Sequence, residues 1–97
     1  MALLTHLERS TFLSEHPRWE IDGEILRTTF AFVDFVAAMG FVTSVAILAE
    51  KLFHHPDIDI RWNRVTIALS THDEGGLTER DTNLAIRIDD LLSNPSR

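Results

Sequence analysis

Three histidines stand where imidazole chemistry would be useful. His54 and His55 are adjacent and followed by Pro56, and His72 lies in Ser70-Thr71-His72-Asp73, just ahead of Gly75-Gly76. An imidazole has an unperturbed pKa near 6.5, so it can give or take a proton at neutral pH. Neighbouring residues at a helix end sit about 100° apart and cannot share one helical face. His54 and His55 can therefore line one pocket only if the chain turns there, and Pro56 is expected to enforce that turn. Glu50, four residues before His54, is within its reach along a helix. The plainer readings are a polar helix end for the His pair and a loop histidine bonded to nearby backbone for His72.

Other candidates carry less. His54, His55 and His72 with a carboxylate could in principle hold a metal, but none of the regular metal-ligand spacings is present, and no metal is expected. Gly75-Gly76 lacks the lysine and glycine spacing of a phosphate loop and reads as a turn requiring positive φ. Asp81 suits a helix start, and Trp19 and Trp62 suit a core or an interface.

The positioning elements follow from periodicity. Leu3, Leu4 and Leu7, with Thr11 a turn further on, suit one face of a short amphipathic helix that stops before Pro17. Trp19-Glu20-Ile21-Asp22 alternates and meets Gly23, a strand ending in an Asp-Gly hairpin turn. Residues 24–32 continue the alternation, with Leu26, Thr28, Phe30 and Phe32 on the core face. From Val33 the period changes to about 3.6. Phe35, Met39, Val42, Ala46, Ala49 and Phe53 form one helical stripe, and Phe41, Val45, Leu48 and Leu52 a second. A helix apolar on more than half its circumference is buried on two sides. One side can cover a sheet; the other is predicted to meet another subunit.

Pro56 ends that helix region. Ile58, Ile60 and Trp62 alternate in a third strand and Val65, Ile67 and Leu69 in a fourth. The shift in apolar parity between them places a turn or bulge near Asn63. Thr78 is a good N-cap for a last helix with Glu79 and Asp81 in its first turn and Leu84, Ala85, Ile88, Leu91 and Leu92 as its apolar stripe. The order α-β-β-α-β-β-α, with helices gathered on one face of an antiparallel sheet, is an α+β two-layer fold.

Size and composition bound the function. The 97 residues are expected to form one domain, with 1–18 as an N-terminal helix and loop and 93–97 as a loose tail. A chain this short buries a modest core, so a homo-oligomer is expected. A net charge of −6 argues against direct nucleic-acid binding. The absence of cysteine excludes disulfides, thiolate nucleophiles and cysteine-type zinc sites, and suggests a reducing compartment, most simply the cytoplasm. The N-terminus lacks the basic start and apolar core of a signal peptide. The apolar-rich residues 33–53 are broken by Asp34, Thr43, Ser44, Glu50 and Lys51, so no membrane span is expected.

Taken together, Glu50, His54-His55-Pro56, Trp62, His72 and Asp81, at these spacings, resemble the signature of the pterin-4a-carbinolamine dehydratases. Phe32-Val33-Asp34-Phe35, Leu69-Ser70-Thr71-His72-Asp73 and Gly76-Leu77-Thr78-Glu79-Arg80-Asp81 agree with it, and the resemblance runs from about Trp19 to Leu92. Trp62 stands where tyrosine is commoner. The resemblance implies a four-stranded antiparallel sheet with three helices on one face, assembled as a homodimer or homotetramer through sheet edges and a central helix bundle. It implies loss of water from a 4a-hydroxytetrahydropterin to give the quinonoid dihydropterin, within tetrahydropterin recycling, without metal or organic cofactor. His54 and His72 would be the acid–base pair, with His54 the donor to the leaving hydroxyl, and His55 would bind and orient the pterin. Glu50, Trp62, Arg80 and Asp81 would support the site. Groups around His54, His55 and Pro56, and around Thr71, His72, Asp73 and Glu74, would contact the substrate.

The same resemblance carries a different class of function. Some relatives act as dimerisation cofactors of a homeodomain transcription factor, and others resemble Rubisco assembly factors that lack the histidine site. A pure assembly factor has no reason to keep three spaced histidines, and this chain has all of them.

Overall fold

Two short turns set the sheet. The computed structural model describes residues 2–93. Strand β1 (Glu20–Asp22) folds back on β2 (Ile25–Ala31) through a two-residue loop in which Gly23 has φ 61°, the conformation glycine supplies at the first central position of a hairpin loop. Strand β3 (Asp57–Arg61) folds back on β4 (Arg64–Leu69) through Trp62 and Asn63. Trp62 takes φ 53° and is exposed. The third strand therefore ends at Arg61, and Trp62 is its turn rather than its last rung. Asn63 holds this turn by donating from Nδ2 to Phe32 O at 2.8 Å while Phe32 N donates back to Asn63 O at 2.9 Å.

The sheet order is β1-β2-β4-β3, antiparallel throughout, with Leu26 opposite Leu69, Thr28 opposite Ile67 and Phe30 opposite Val65. This register puts one face of both central strands into the core: Leu26, Thr28 and Phe30 from β2, Val65, Ile67 and Leu69 from β4. The other face is more open, and there Thr29 and Thr66 share a hydroxyl hydrogen bond of 2.8 Å. Each fully buried Leu, Ile, Val or Phe contributes about 1.5–3 kcal/mol by leaving water, so a slip of one residue would forfeit most of the core.

Helix α1 (His6–Glu15) starts later than its leucines suggest. Thr5 and Glu8 form a reciprocal capping box, which fixes the first turn at His6. Leu3 instead bridges to Thr78, Leu4 N donates to Leu77 O, and Leu7 is exposed. The helix buries Phe12. Its C-cap His16 reaches across to Asp89, whose carboxylate also accepts from Trp19 Nε1 at 3.1 Å.

Helix α2 (Phe35–Leu52) begins at an Asp34 cap that accepts from Ala37 N, and buries Ala38, Phe41, Val45 and Ala49. The small Ala38 and Ala49 leave room for close approach to the layer below, and Phe41 packs against Phe30 and Phe32 with ring centroids 4.8 and 4.9 Å away. Of the first apolar stripe Ala49 is buried and Val42 half-buried, while Phe35, Met39, Ala46 and Phe53 are exposed; Val36 and Ile47, outside both stripes, are exposed as well. By length and composition alone α2 could cross a membrane. Helix α3 (Glu79–Ser93) buries Leu84, Ala85 and Ile88. Leu91 is half-buried and Leu92 exposed. The tail beyond Ser93 lies outside the described residues. The result is an α+β fold of three helices with a four-stranded antiparallel sheet, in the order α-β-β-α-β-β-α.

Candidate active site

The end of α2 turns without help from proline. Phe53 adopts φ 51°, ψ 40°, and its N–H closes on Ala49 O and Glu50 O, while His54 N donates to Ala49 O at 3.1 Å. This left-handed cap sends the two neighbouring imidazoles in different directions. His54 turns inward and is 8% exposed; the His55 side chain stays 63% exposed. Pro56 then leads into β3.

Inside, His54 Nε2 meets Asp81 Oδ1 at 2.5 Å. Asp81 is fully buried in the first turn of α3. Its other oxygen accepts from Thr71 Oγ1 at 2.8 Å and from Thr78 N at 2.9 Å. Thr78 Oγ1 lies 2.8 Å from Thr71 Oγ1 and accepts from Arg80 N at 3.2 Å. The directions follow from donor count. Thr71 gives its one proton to Asp81, so Thr78 gives its own to Thr71. Both contacts to Asp81 Oδ2 are donors, which suits an ionised, acceptor-only carboxylate. An ionised Asp81 requires a proton on His54 Nε2. That fixes the neutral tautomer and leaves Nδ1 as the working nitrogen. Among the described residues no buried side-chain nitrogen or oxygen lacks a partner, so Nδ1, which carries no bond, meets solvent.

Outside, His55 Nε2 meets Glu50 Oε1 at 2.5 Å. Glu50 thus serves His55, one residue beyond the imidazole that helical spacing assigns to it, because the Phe53 cap breaks the helical path before His54.

His72 opens a short 3₁₀ turn (His72–Glu74) that Gly75 closes at φ 82°. The turn is pinned at its base by paired bonds between the Thr71 and Gly76 backbones. Gly75 has the positive φ expected of the pair; Gly76 does not, and its constraint is space. A Cβ on Gly76 would collide with the Glu24 carboxylate. Glu24, at the β1–β2 turn, accepts from Arg9 Nη2 at 2.7 Å and from Leu77 N at 3.1 Å, and its carbonyl accepts from Ser70 Oγ at 2.8 Å. The Arg9 guanidinium above all, with the Leu77 N–H, holds the Glu24 carboxyl below the usual value of 4.5. Glu24 therefore clamps both flanks of the His72 turn.

His55 and His72 share a shallow notch of about 40 Å³ with Ile25, Asp57 and Ser70, closed behind by Ala68 and Leu69. His54 does not line the notch; it is joined to the His72 turn through Asp81 and Thr71. Thr71 is 1% exposed, and its hydroxyl is committed to Asp81. Asp73 and Glu74 are exposed on the turn, with Arg80 Nη1 4.0 Å from Asp73. Pro56 is half-buried. Trp62 follows the far end of β3, whose last residue Arg61 is about 13 Å along the strand from Asp57, and it does not line the notch. Among the described residues no three His or carboxylate groups converge to hold a metal. Sequence reasoning missed Asp57, Ser70, Ile25 and Glu24. Only Glu24 left a trace, as the acidic residue beside the hairpin glycine.

The family model described as Pterin 4 alpha carbinolamine dehydratase matches residues 2–91. The chain belongs to that family. A Chloroflexus aggregans protein named provisionally as a pterin-4-alpha-carbinolamine dehydratase is 54% identical to this dehydratase-family chain over 94 residues, covering 95% of it and 99% of the relative. A similarly named Acidobacterium capsulatum protein is 53% identical over 92 residues, covering 95% and 100%. Among solved structures, the transcriptional coactivator/pterin dehydratase from Brucella melitensis is similar with TM-score 0.87 and 38% identity, over 93% of this chain and 98% of that one. A pterin dehydratase-like protein described as a RuBisCO assembly factor in the alpha-carboxysome is similar with TM-score 0.62 and 28% identity, over 76% and 86%.

Proposed function

We propose that this member of the pterin carbinolamine dehydratase family is a working hydro-lyase that removes water from a 4a-hydroxytetrahydropterin. The C4a–O bond breaks as an acid protonates the hydroxyl, which leaves as water. A base takes the N5 proton, and the N5–H electrons become the C4a=N5 bond of the quinonoid dihydropterin. One proton is given and one taken, so no metal or redox group enters the balance. Positioned acid and base typically supply about 10²–10⁴-fold, enough for a carbinolamine that already dehydrates slowly unaided.

His54 is the donor, through Nδ1, with Asp81 holding Nε2–H and stabilising the imidazolium when it forms. His72 is its counterpart; its ring carries no bond among the described residues and lines the notch. His55, tethered by Glu50, orients the pterin, and the backbones around Pro56, Thr71, Asp73 and Glu74 frame it, with Arg80 steadying Asp73. The His54–Asp81 pair carries this reading: a histidine cap with no task would not be matched by a fully buried, triply bonded carboxylate. The test is turnover of freshly prepared 4a-hydroxytetrahydropterin followed by ultraviolet absorbance; a rate equal to buffer would remove the enzyme.

The exposed apolar side of α2, with Val36, Met39 and Ile47, supports self-association as a dimer or tetramer. Sedimentation should show an oligomer that Ile47→Glu dissociates; a monomeric parent would refute it. The same surface supports a second, non-catalytic reading, an assembly cofactor like the RuBisCO assembly factor it resembles. Turnover that depends on His72 decides against assembly as the sole role.

A further inference from the structure

We propose that the groove between α1 and α3 receives a basic amphipathic helix from a partner protein. The groove encloses about 390 Å³ and lies apart from the histidine notch, sharing no residue with it. Its floor is apolar, from Leu4, Leu7, Phe12 and Ile86. Leu7 is 75% exposed although it belongs to a capped, well-formed helix, so nothing in the fold calls for a leucine there. Every charged residue that lines the groove is acidic: Glu8, Glu15 and Glu79. Glu8 closes the helix cap, whereas Glu15 and Glu79 make no ion pair among the described residues.

Geometry narrows the occupant. Leu4 is bonded to Leu77 at the start of α3, and His16 to Asp89 near its end, so α1 and α3 run side by side in the same direction. Glu79 marks one end of the groove and Glu15 the other, about 15 Å apart along ten residues of helix. An occupant matching both would carry apolar residues at i and i+4, for the floor, and Lys or Arg at both ends about ten residues apart. Helix-in-groove docking uses that pattern. An anionic bilayer or a nucleic acid would be repelled by the same carboxylates.

The probe is a fluorescent synthetic helical peptide with paired leucines and terminal lysines at that spacing, titrated into the isotope-labelled protein. We expect saturable binding, amide shifts at Thr11, Thr82 and Ile86, and weakening by about tenfold or more in either Leu7→Asp or Glu15→Lys/Glu79→Lys. A peptide with the same leucines and glutamates in place of lysines should not bind. Equal binding to the variants, equal binding of a lysine peptide without leucines, or shifts confined to α2 would overturn the proposal. So would concentration-dependent pairing of the protein alone that Leu7→Asp abolishes, which would make the occupant a second copy. Dehydration activity is not the readout, so the result is independent of the enzyme reading.

Discussion

His54 and Asp81, 27 residues apart in the chain, meet at 2.5 Å in a pocket of protein where the carboxylate is fully buried and accepts from three donors. That arrangement specifies which imidazole nitrogen bears the proton. In Asp81→Asn an NH₂ must face at least one of those donors, whichever way the amide lies. We expect kcat to fall on the order of 10²-fold and unfolding free energy to drop by about 1–3 kcal/mol, measured by steady-state kinetics and urea denaturation. Unchanged kcat with lost stability would make Asp81 structural only.

Thr71→Val separates holding from contact. The substitution is nearly isosteric and removes one donor to Asp81, leaving the His54 bond in place. A stability loss of about 1 kcal/mol with activity within a few-fold of the parent is expected. A collapse in activity as deep as that of Asp81→Asn would give the Thr71 hydroxyl a part in the reaction beyond holding Asp81.

The Glu50–His55 pair is exposed, at 77% and 63% of its side chains. An ion pair that open is worth about 0–1 kcal/mol, so Glu50→Gln should leave the melting temperature nearly unchanged. Its effect should fall on substrate orientation: KM rises while kcat stays close to the parent value. A fall in kcat with KM unchanged would place His55 in proton transfer instead.

Glu24 gives the fold a pH signature. Its folded carboxyl titrates below 4.5 because Arg9 and the Leu77 N–H favour the charged form. The contribution is therefore fully present above that ordinary value and is lost as pH falls through the lowered folded pKa. Glu24→Gln should melt below the parent at neutral pH, and the gap should close as acid is added below pH 4.5. Gly76→Ala displaces the same carboxylate, so its cost and that of Glu24→Ala should combine to less than their sum in a double-mutant cycle. Strict additivity would mean the clamp is not shared.

The sheet was legible because period-two alternation in β2 and β4 is unbroken and each strand packs one face. Helix α3 was legible because its start is a Thr78 cap and its stripe is narrow. Helix α1 forms where it is expected but starts later and with a different face inward, because leucines signal burial only on average. Leu3 and Leu4 precede the Thr5 cap, and Leu7 faces outward. The histidines were visible as residue types, but their pairing was not. Helical spacing joined Glu50 to His54, and a single left-handed residue, Phe53, moved the partnership to His55. No spacing rule reaches from Gly76 to Glu24, a contact that exists only after the sheet has brought distant turns together, or from Asp81 to Thr71, which the bridged 71–76 turn brings close.

The most direct measurement is the dehydration rate of freshly made 4a-hydroxytetrahydropterin with the parent protein, with His72→Ala and with buffer. His72 lines the notch and is exposed, so its loss should leave folding intact. We expect the parent to exceed buffer by two orders of magnitude or more, and His72→Ala to lose most of that excess, on the scale of about 10²-fold for one acid–base group. A parent no faster than buffer, or a His72→Ala protein as fast as the parent, would contradict a histidine-driven dehydratase.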